Sequence, residues 1–215
     1  MTRISPDWLA SAPARAVCAA LEGGGHQAWF VGGCVRNALL GEEAADLDIT
    51  TDARPERVTE LVEAAGLRAV PTGIEHGTVT VVAGGRGFEV TTFRRDVETD
   101  GRRAVVAFSD SMGEDAARRD FTMNALYCGI DGVVVDPVGQ GLADLAARRV
   151  RFIGDDEERI REDYLRILRF FRFHAWYGGD GIDPEGLAAC AALAEGVEGL
   201  GRGERGRSHP ARALR

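Results

Sequence analysis

The pattern of apolar and polar positions predicts a chain that alternates helices with short strands. Residues 7–22 place apolar side chains at helical spacing and stop at three consecutive glycines, which predicts one amphipathic helix. The apolar run at residues 28–31 predicts a strand that leads through Gly32 and Gly33 into a helix. The other predicted elements are that helix at 35–40, a strand at 46–51, a helix at 55–65 capped by Asp52, a hairpin of strands at 78–82 and 87–93, a helix at 119–127, a strand at 133–136 and one long helix at 155–177.

This order of elements predicts an α+β fold in which a mixed β-sheet is followed by helices. We place the boundary near residue 150, between a sheet-containing domain, residues 1–150, and a helical region, residues 151–200. The charged segment 96–117 lacks sustained periodicity and is expected to be a long mobile loop. Residues 201–215 are rich in glycine and arginine and almost devoid of apolar side chains, so we expect a disordered tail there.

Composition narrows the class of protein. The 215 residues are 45% hydrophobic and 28% charged, which is typical of a globular protein. A net charge of -8 excludes a general positive field, so any nucleic-acid site must be local and built from arginine, because all 26 basic residues are arginine. Four widely separated cysteines favour neither a disulfide framework nor a zinc site. Without a leader or a long apolar run, we expect a cytoplasmic protein that does not bind membranes.

A glycine turn and two nearby aspartates form the first group of candidate site residues. Backbone N–H groups at Gly32 and Gly33 can approach a phosphate at a helix N-terminus, where Arg36 adds a guanidinium. Asp46 and Asp48 share one face of the predicted strand, because side chains alternate faces with a period of two. Two carboxylates so close favour a bound divalent cation, and Mg²⁺ is the candidate. Each piece alone is more typical of a turn or a solvated strand end, whereas their conjunction favours phosphoryl transfer.

A second group lies further along the chain. On the predicted helix, Asp120 and Asn124 are four residues apart on one face, where they can bind ribose hydroxyls while Arg119 binds phosphate. The alternative is a helix N-terminus with Asp120 as its cap and the charges in solvent. Glu89, on a predicted strand, is either a third carboxylate facing the metal or an exposed strand glutamate.

The third group is a stripe on the predicted C-terminal helix, where charged residues recur every three positions: Asp163, Arg166, Arg169 and Arg172. Asp163 can accept a hydrogen bond from the exocyclic amine of cytosine or adenine, while Arg166 donates to the neighbouring ring acceptor. Uracil and guanine present the opposite pattern of donors and acceptors. The alternative interpretation is an ordinary salt bridge on a solvated helix.

Five successive segments resemble the motifs of one family: GGCVRN, DLDITTDARPERV, RRDFTMNAL, DPVGQGLADL and EDYLRILRF. Over about residues 28–175 the sequence is similar to the class II tRNA nucleotidyltransferases and bacterial poly(A) polymerases, a branch of the polymerase-β-like nucleotidyltransferases. The resemblance implies a nucleotidyltransferase head with a mixed sheet, followed by a helical neck that carries a nucleotide-templating helix.

The resemblance also implies a role for each group of candidates. Asp46 and Asp48 would be the ligands of two Mg²⁺ ions. The other implied contacts are to the triphosphate from Gly33 and Arg36, to ribose and phosphate from Arg119, Asp120 and Asn124, and to the base from Asp163 and Arg166, with Arg169 and Arg172 nearby. The segment 96–117 would match a mobile segment used when such enzymes switch from C to A. Asn37 stands where the family usually has aspartate, and keeps a hydrogen-bond acceptor without the charge.

The resemblance therefore predicts a CCA-adding enzyme that transfers CMP and AMP from CTP and ATP to the 3′ end of tRNA and releases pyrophosphate. One alternative is a poly(A) polymerase, which shares these motifs. An alternative of another class is a nucleotide-binding fragment without activity of its own. That alternative follows from the ending of the chain, because family members continue through further helices that grip tRNA, which predicts a truncated chain with weak tRNA anchoring.

Overall fold

A mixed seven-stranded sheet forms the centre of the computed structural model, which describes residues 1–100 and 103–198. The strands are Trp29–Val31 (β1), Asp48–Thr51 (β2), Arg68–Gly73 (β3), Thr78–Ala83 (β4), Arg86–Thr92 (β5), Arg94–Asp100 (β6), Arg103–Phe108 (β7), Tyr127–Cys128 (β8) and Val134–Val135 (β9). The large sheet has the order β3-β4-β5-β2-β1-β8-β9, while β6 and β7 pair in a separate hairpin. The predicted α+β class with a mixed sheet is therefore confirmed.

The helices alternate with these strands along the chain. They are Asp7–Ala10 (α1), Ala12–Gly23 (α2), Gly33–Leu40 (α3), Pro55–Ala64 (α4), Met112–Ala117 (α5), Gly141–Ala146 (α6), Asp156–Glu162 (α7), Leu165–Tyr177 (α8) and Pro184–Ala192 (α9), with short 3-10 turns at Ile74–His76, Thr122–Asn124 and Ala194–Val197. Helices α2 and α4 pack against each other and against the sheet. Among the described residues, no helix has the length and apolar character needed to cross a membrane.

The pairing of the central strand β2 with its neighbours brings two carboxylates, Asp48 and Glu89, together. β2 is antiparallel to β1 and parallel to β5, with Asp48 paired with Glu89 and Ile49 with Val90. β5 begins three residues before this pairing, at Arg86, so the first residue of β2 lies beside the middle of β5. A carboxylate from each strand thus comes to one place.

An aromatic cluster joins α8 to the sheet-bearing part of the fold. The ring of Phe121 lies 5.0 Å from Phe152 and 5.1 Å from Phe173, and Phe170 stacks on Phe152 at 5.3 Å between centroids. These residues belong to one hydrophobic core that runs from α2 through the sheet to α9. All four cysteines of the chain are buried and free. The position of α8 is therefore set by burial of apolar surface rather than by its charged stripe.

The N-terminal predictions need two corrections. The single helix expected at 7–22 is two helices, because Ser11 is extended and its side chain caps a new start at which Pro13 stands in the first turn. Asp52 does not cap α4. Its Oδ1 accepts the backbone N–H of Gln27 at 2.7 Å, and the N-cap residue of α4 is Arg54, which makes no side-chain cap bond.

Two predictions in the middle of the chain are wrong. The expected loop at 96–117 contains strands and the helix α5, because the many charges and a shift in register after Asp96 hide the alternation of strands. The expected helix at 119–127 is a bridge, a 3-10 turn and β8. There the N–H groups of Phe121 and Thr122 bind the Asp120 side chain and the Arg151 carbonyl instead of forming an α-helical turn.

The long helix expected at 155–177 is interrupted. Asp163 is extended, with φ -155° and ψ 104°, so α7 ends before it, and its Oδ1 accepts the N–H of Leu165 at 3.0 Å as α8 begins. The sequence also did not predict β3, an edge strand with a proline and no fully buried position. The hairpin of β4 and β5 is confirmed. The tail expected at 201–215 lies outside the described residues.

Replacing Phe170 tests whether the aromatic cluster holds α8 in place. Phe170→Ala should lower the free energy of unfolding by about 3–5 kcal/mol, because it removes a fully buried ring that stacks on Phe152. Phe171→Ala is the matched control, since Phe171 is the next residue of the same helix and is 45% exposed. Urea unfolding followed by circular dichroism measures both. Equal losses for the two variants would contradict the assignment of Phe170 as the anchor.

Candidate functional site

An open cavity of about 490 Å³ gathers most of the candidate residues beside the start of β2 and the middle of β5. The candidates that line it are Gly32, Gly33, Arg36, Asp46, Asp48, Glu89, Arg119, Asp120, Asn124 and Arg169. Asp163, Arg166 and Arg172 are not among its lining residues. We call this cavity the central pocket.

The carboxylates of the central pocket come from neighbouring strands. Leu47 and Ile49 are fully buried, whereas Asp46 is exposed and Asp48 is half-buried. This alternation gives the two aspartates a common face. Glu89 is the register partner of Asp48 on β5. Within the described residues, no group of three or more His, Cys, Asp or Glu side chains is arranged so that it could hold a metal ion.

The glycine turn presents backbone N–H groups to the same pocket. Gly32 has φ +73° and ψ -124°, a conformation that favours glycine, and it allows α3 to begin at Gly33. A Cβ on Gly32 would lie 3.8 Å from Nη1 of Arg119 and from the carbonyl of Asn124, and one on Gly33 would lie 3.7 Å from Nη2 of Arg36. The absence of side chains therefore keeps the start of α3 open, with the helix dipole pointing its positive end at the pocket.

Arg36 is buried and firmly held. Its Nη1 donates to Oδ1 of Asn124 at 2.7 Å, its Nη2 to the hydroxyl of Tyr177 at 2.7 Å, and its Nε and Nη2 to Oδ1 of Asn37 at 3.2 and 2.9 Å. The guanidinium carbon also lies 3.9 Å from the centroid of the Tyr177 ring. Burial lowers the pKa of Arg36 from its usual value. Asn37 thus supplies, without a charge, an acceptor that fixes the arginine before it.

Asp120 connects this arginine to α8. Its Oδ1 accepts from Nδ2 of Asn124 at 3.0 Å and from the backbone N–H of Phe121 at 2.8 Å, and its Oδ2 accepts from both Nε and Nη2 of Arg169. Burial alone would raise the pKa of Asp120, but the charge of Arg169 and these hydrogen bonds bring it below its usual value. The network therefore runs from Arg36 through Asn124 and Asp120 to Arg169, although Asp120 and Asn124 are not on one α-helix as predicted.

Arg119 is held from the side opposite to the glycine turn. Its Nη2 donates to Oδ2 of Asp115 at 2.9 Å and its Nε to the hydroxyl of Tyr127 at 3.1 Å. Burial opposes the charge of Arg119, yet the acidic partners, Tyr127 and Asp115, together raise its pKa. Arg119 is therefore a permanent cation with a fixed orientation at the central pocket.

The residues expected to read the base lie at the junction of α7 and α8. Asp163 is exposed, and Arg166 is in the first turn of α8. Arg166 does not pair with Asp163, because its Nη1 donates to Oε2 of Glu162 at 2.6 Å and to the carbonyl of Arg159 at 2.8 Å. The salt bridge of the alternative interpretation is thus not formed between these two residues, and Arg166 contacts the preceding helix instead. Further along, the Arg172 guanidinium lies 5.7 Å from the Trp176 ring centroid.

Three residues that support the site were absent from the sequence prediction: Asp115, Tyr127 and Tyr177. Asp115 falls in a segment expected to be a loop and Tyr127 in one expected to be a helix, so their convergence could not be foreseen. Tyr177 continues the apolar spacing of α8, and nothing in that pattern indicated the bond from its hydroxyl to Arg36.

Comparisons with known proteins match most of this chain. Residues 28–151 match the family described as Poly A polymerase head domain. The CCA-adding enzyme of Levilactobacillus brevis is 47% identical over 184 residues, which are 85% of this chain and 45% of that protein. The mitochondrial CCA tRNA nucleotidyltransferase 1 of Homo sapiens is 44% identical over 187 residues, which are 84% of this chain and 42% of that protein.

Solved structures agree with these similarities. The Bacillus stearothermophilus CCA-adding enzyme in complex with CTP has a TM-score of 0.76 and 37% identity, over 88% of this chain and 45% of that chain. A tRNA nucleotidyltransferase complexed with a primer tRNA and an incoming ATP analog has a TM-score of 0.70 and 29% identity, over 88% of this chain and 53% of that chain. This chain therefore spans less than half the length of the curated relatives named above.

Removing the charge of Asp120 tests the network behind the pocket. Asp120→Asn should lower the free energy of unfolding at pH 7 by about 1–3 kcal/mol, because Arg169 loses its ionic acceptor. The pKa of Asp120 lies below its usual 3.8 in the folded state, so its contribution is complete above that pH and is lost as pH falls through the folded pKa.

Urea unfolding at pH 7, 5, 4 and 3 measures this difference between wild type and variant. The difference should stay constant down to about pH 4 and shrink below it. Asp180→Asn, at an exposed aspartate after α8, should change little at any pH. A difference that is absent at pH 7, or that grows on acidification, would be incompatible with an ionised Asp120 bound to Arg169.

Proposed function

Because the chain belongs to the Poly A polymerase head domain family, we propose that it carries the catalytic site of an RNA nucleotidyltransferase that transfers CMP and AMP from CTP and ATP to the 3′ end of tRNA. One observation carries this proposal: strand carboxylates, an open helix N-terminus and fixed arginines all line the central pocket. The names of the curated relatives, CCA-adding enzymes, support CCA addition over poly(A) synthesis.

The carboxylate pair suits Mg²⁺. This ion takes oxygen ligands and is commonly held by one or two carboxylates together with substrate phosphates, which is the donor set that Asp46 and Asp48 offer beside the open start of α3. Glu89, next to Asp48 on β5, is a further oxygen donor. When bound, two Mg²⁺ ions would lower the pKa of the attacking ribose hydroxyl and offset negative charge on the triphosphate and the leaving pyrophosphate.

The triphosphate would bind on the other wall of the pocket. The N–H groups at Gly33 and the next residues of α3 donate to phosphate oxygens, as at other helix N-termini. Arg119 supplies a fixed positive charge there, while Arg36 has most of its donors committed to protein acceptors and acts mainly through its charge. Asn124 is the ribose contact, and Asp120 orients it through their hydrogen bond.

Base selection would fall to Asp163 and Arg166 at the start of α8. Asp163 is exposed and can accept from the exocyclic amine of cytosine or adenine. Both protein bonds of Arg166 run from Nη1, so a base would be read by its Nε and Nη2. Arg169 lines the central pocket from the next turn of the same helix, and this continuity along α8 supports a base site adjoining the phosphate site.

The division of the chain follows from the same proposal. We assign residues 1–150 to the catalytic head and residues 151–200 to a helical neck, and the end of the family match at residue 151 supports this boundary. The four free, buried cysteines support a reducing cytoplasmic setting.

Replacing Asp48, the first residue of β2, or Asp46, two residues before it, tests the chemistry. Asp46→Ala and Asp48→Ala should each lower Mg²⁺-dependent incorporation of labelled CMP into tRNA that ends before CCA by about 100-fold or more, because hydroxyl activation and leaving-group stabilisation are both lost. Glu63→Ala, at an exposed acidic residue of α4, should retain activity. Circular dichroism should show that all three variants fold.

The same assay separates the alternatives. Wild-type turnover by either aspartate variant would overturn the metal assignment. Extension of RNA with AMP alone would favour poly(A) synthesis. Binding of CTP with Mg²⁺ but no incorporation by the wild-type chain would favour a nucleotide-binding fragment.

Base selectivity depends on Asp163. Asp163→Ala should reduce the preference for CTP over UTP by about 1–3 kcal/mol. Uracil presents an acceptor where cytosine presents its amine, so it cannot donate to the Asp163 carboxylate, and the variant removes this mismatch. Competition between CTP and UTP for incorporation measures the ratio. Asp180→Ala serves as the control, because Asp180 is an exposed aspartate that follows α8. An unchanged ratio would mean that Asp163 only accepts the N–H of Leu165 at the start of α8 and does not read the base.

A further inference from the structure

Asp115 is a fully buried aspartate that does not line the central pocket and takes no part in the proposed reaction itself. Its Oδ1 accepts the backbone N–H of Arg94 and Nε of Arg118, both at 3.2 Å. Its Oδ2 accepts Nη2 of Arg119 at 2.9 Å and the hydroxyl of Tyr127 at 2.8 Å. One carboxylate thus joins the start of β6, the end of α5 and β8 directly behind the central pocket.

The charge of Asp115 is retained despite its burial. Burial alone would raise its pKa, but the charges of Arg119 and Arg118 outweigh this effect and lower the pKa below 3.8. Burial also raises the pKa of Tyr127, so its hydroxyl stays protonated at neutral pH and can donate to Asp115 while it accepts from Arg119. A buried carboxylate of this kind is destabilising unless it is hydrogen-bonded and paired with a positive charge.

Asp115, Tyr127 and Arg119 are each hydrogen-bonded to the other two, and these bonds fix one side of the Arg119 guanidinium. Nε is bound to Tyr127 and Nη2 to Asp115. Nη1 faces the other way, because it is the atom that a Cβ on Gly32 would approach to 3.8 Å. The bonds of Nε and Nη2 therefore determine where Nη1 lies beside the glycine turn.

We propose that Asp115 and Tyr127 are positioning residues for nucleotide binding, which hold Arg119 with Nη1 directed at the triphosphate beside the glycine turn. This inference rests on the proposed function, since it takes a triphosphate to bind in the central pocket. Neither residue lines that pocket, so both act through Arg119.

Preorganisation has a measurable signature here. A free arginine side chain samples many rotamers and loses them when it binds phosphate, whereas Arg119 has lost them on folding. Releasing it should weaken the binding of ligands in proportion to the phosphates they carry. CTP should be affected strongly and CMP little, because CMP lacks the β- and γ-phosphates.

The test measures the affinity of the 215-residue chain for CTP and CMP with Mg²⁺ by isothermal titration calorimetry. Tyr127→Phe, which keeps the ring and removes the hydroxyl, should raise the Kd for CTP about tenfold and that for CMP less than twofold. Asp115→Asn should act in the same direction. Arg118→Gln is the matched control, because it removes another partner of Asp115 that does not line the central pocket, and it should leave both Kd values unchanged.

A double-mutant cycle with Arg119→Gln separates positioning from a general structural effect. If Tyr127 acts through Arg119, Tyr127→Phe should add nothing to the Kd for CTP once Arg119 is replaced. Additive effects, or an equal loss for CTP and CMP, would overturn the positioning role. If Asp115→Asn does not fold, the double-mutant cycle that combines Tyr127→Phe with Arg119→Gln still tests the positioning role. Failure of the wild-type chain to bind CTP would overturn the proposed function and this inference together, whereas wild-type binding with unchanged variants would overturn this inference alone.

Discussion

The central pocket depends on arginines that are restrained by partners on their own wall. The restrained groups are Arg36 by Asn124 and Tyr177, Arg119 by Asp115 and Tyr127, and Arg169 by Asp120. A guanidinium side chain samples many rotamers unless hydrogen bonds to fixed acceptors hold it in one orientation. These acceptors therefore give each cation a fixed place in the wall of the pocket.

The fold supplies those acceptors from segments that are distant in sequence. The parallel pairing of β2 with β5 brings Asp48 beside Glu89. The aromatic cluster around Phe170 fixes α8, and the same helix then carries Arg169 to the pocket. Because one hydrophobic core contains both the sheet and α8, the distance between the carboxylates and the cations is set by packing rather than by the charges themselves. The charges occupy positions that apolar burial has determined.

The sequence predicted the parts of the site that rest on local pattern. The alternation around Leu47 and the glycine turn at Gly32 were visible as periodicity and residue type, and both are found in the structure. Contacts between segments were not visible. Asp115 reaches Arg119 only because α5 and the following turn form where a loop and a helix were expected. The extended Asp163 also breaks a helix whose apolar spacing continues across it, since a side chain that binds its own backbone competes with helix formation.

We propose that one pocket holds a nucleoside triphosphate between the carboxylates and the restrained arginines. A crystal structure of the 215-residue chain with CTP and Mg²⁺ would show this binding mode. We expect a triphosphate beside Gly32 and Gly33, within hydrogen-bond distance of Arg119, and Mg²⁺ bound by Asp46 and Asp48. A triphosphate bound elsewhere, with the central pocket unchanged, would contradict it.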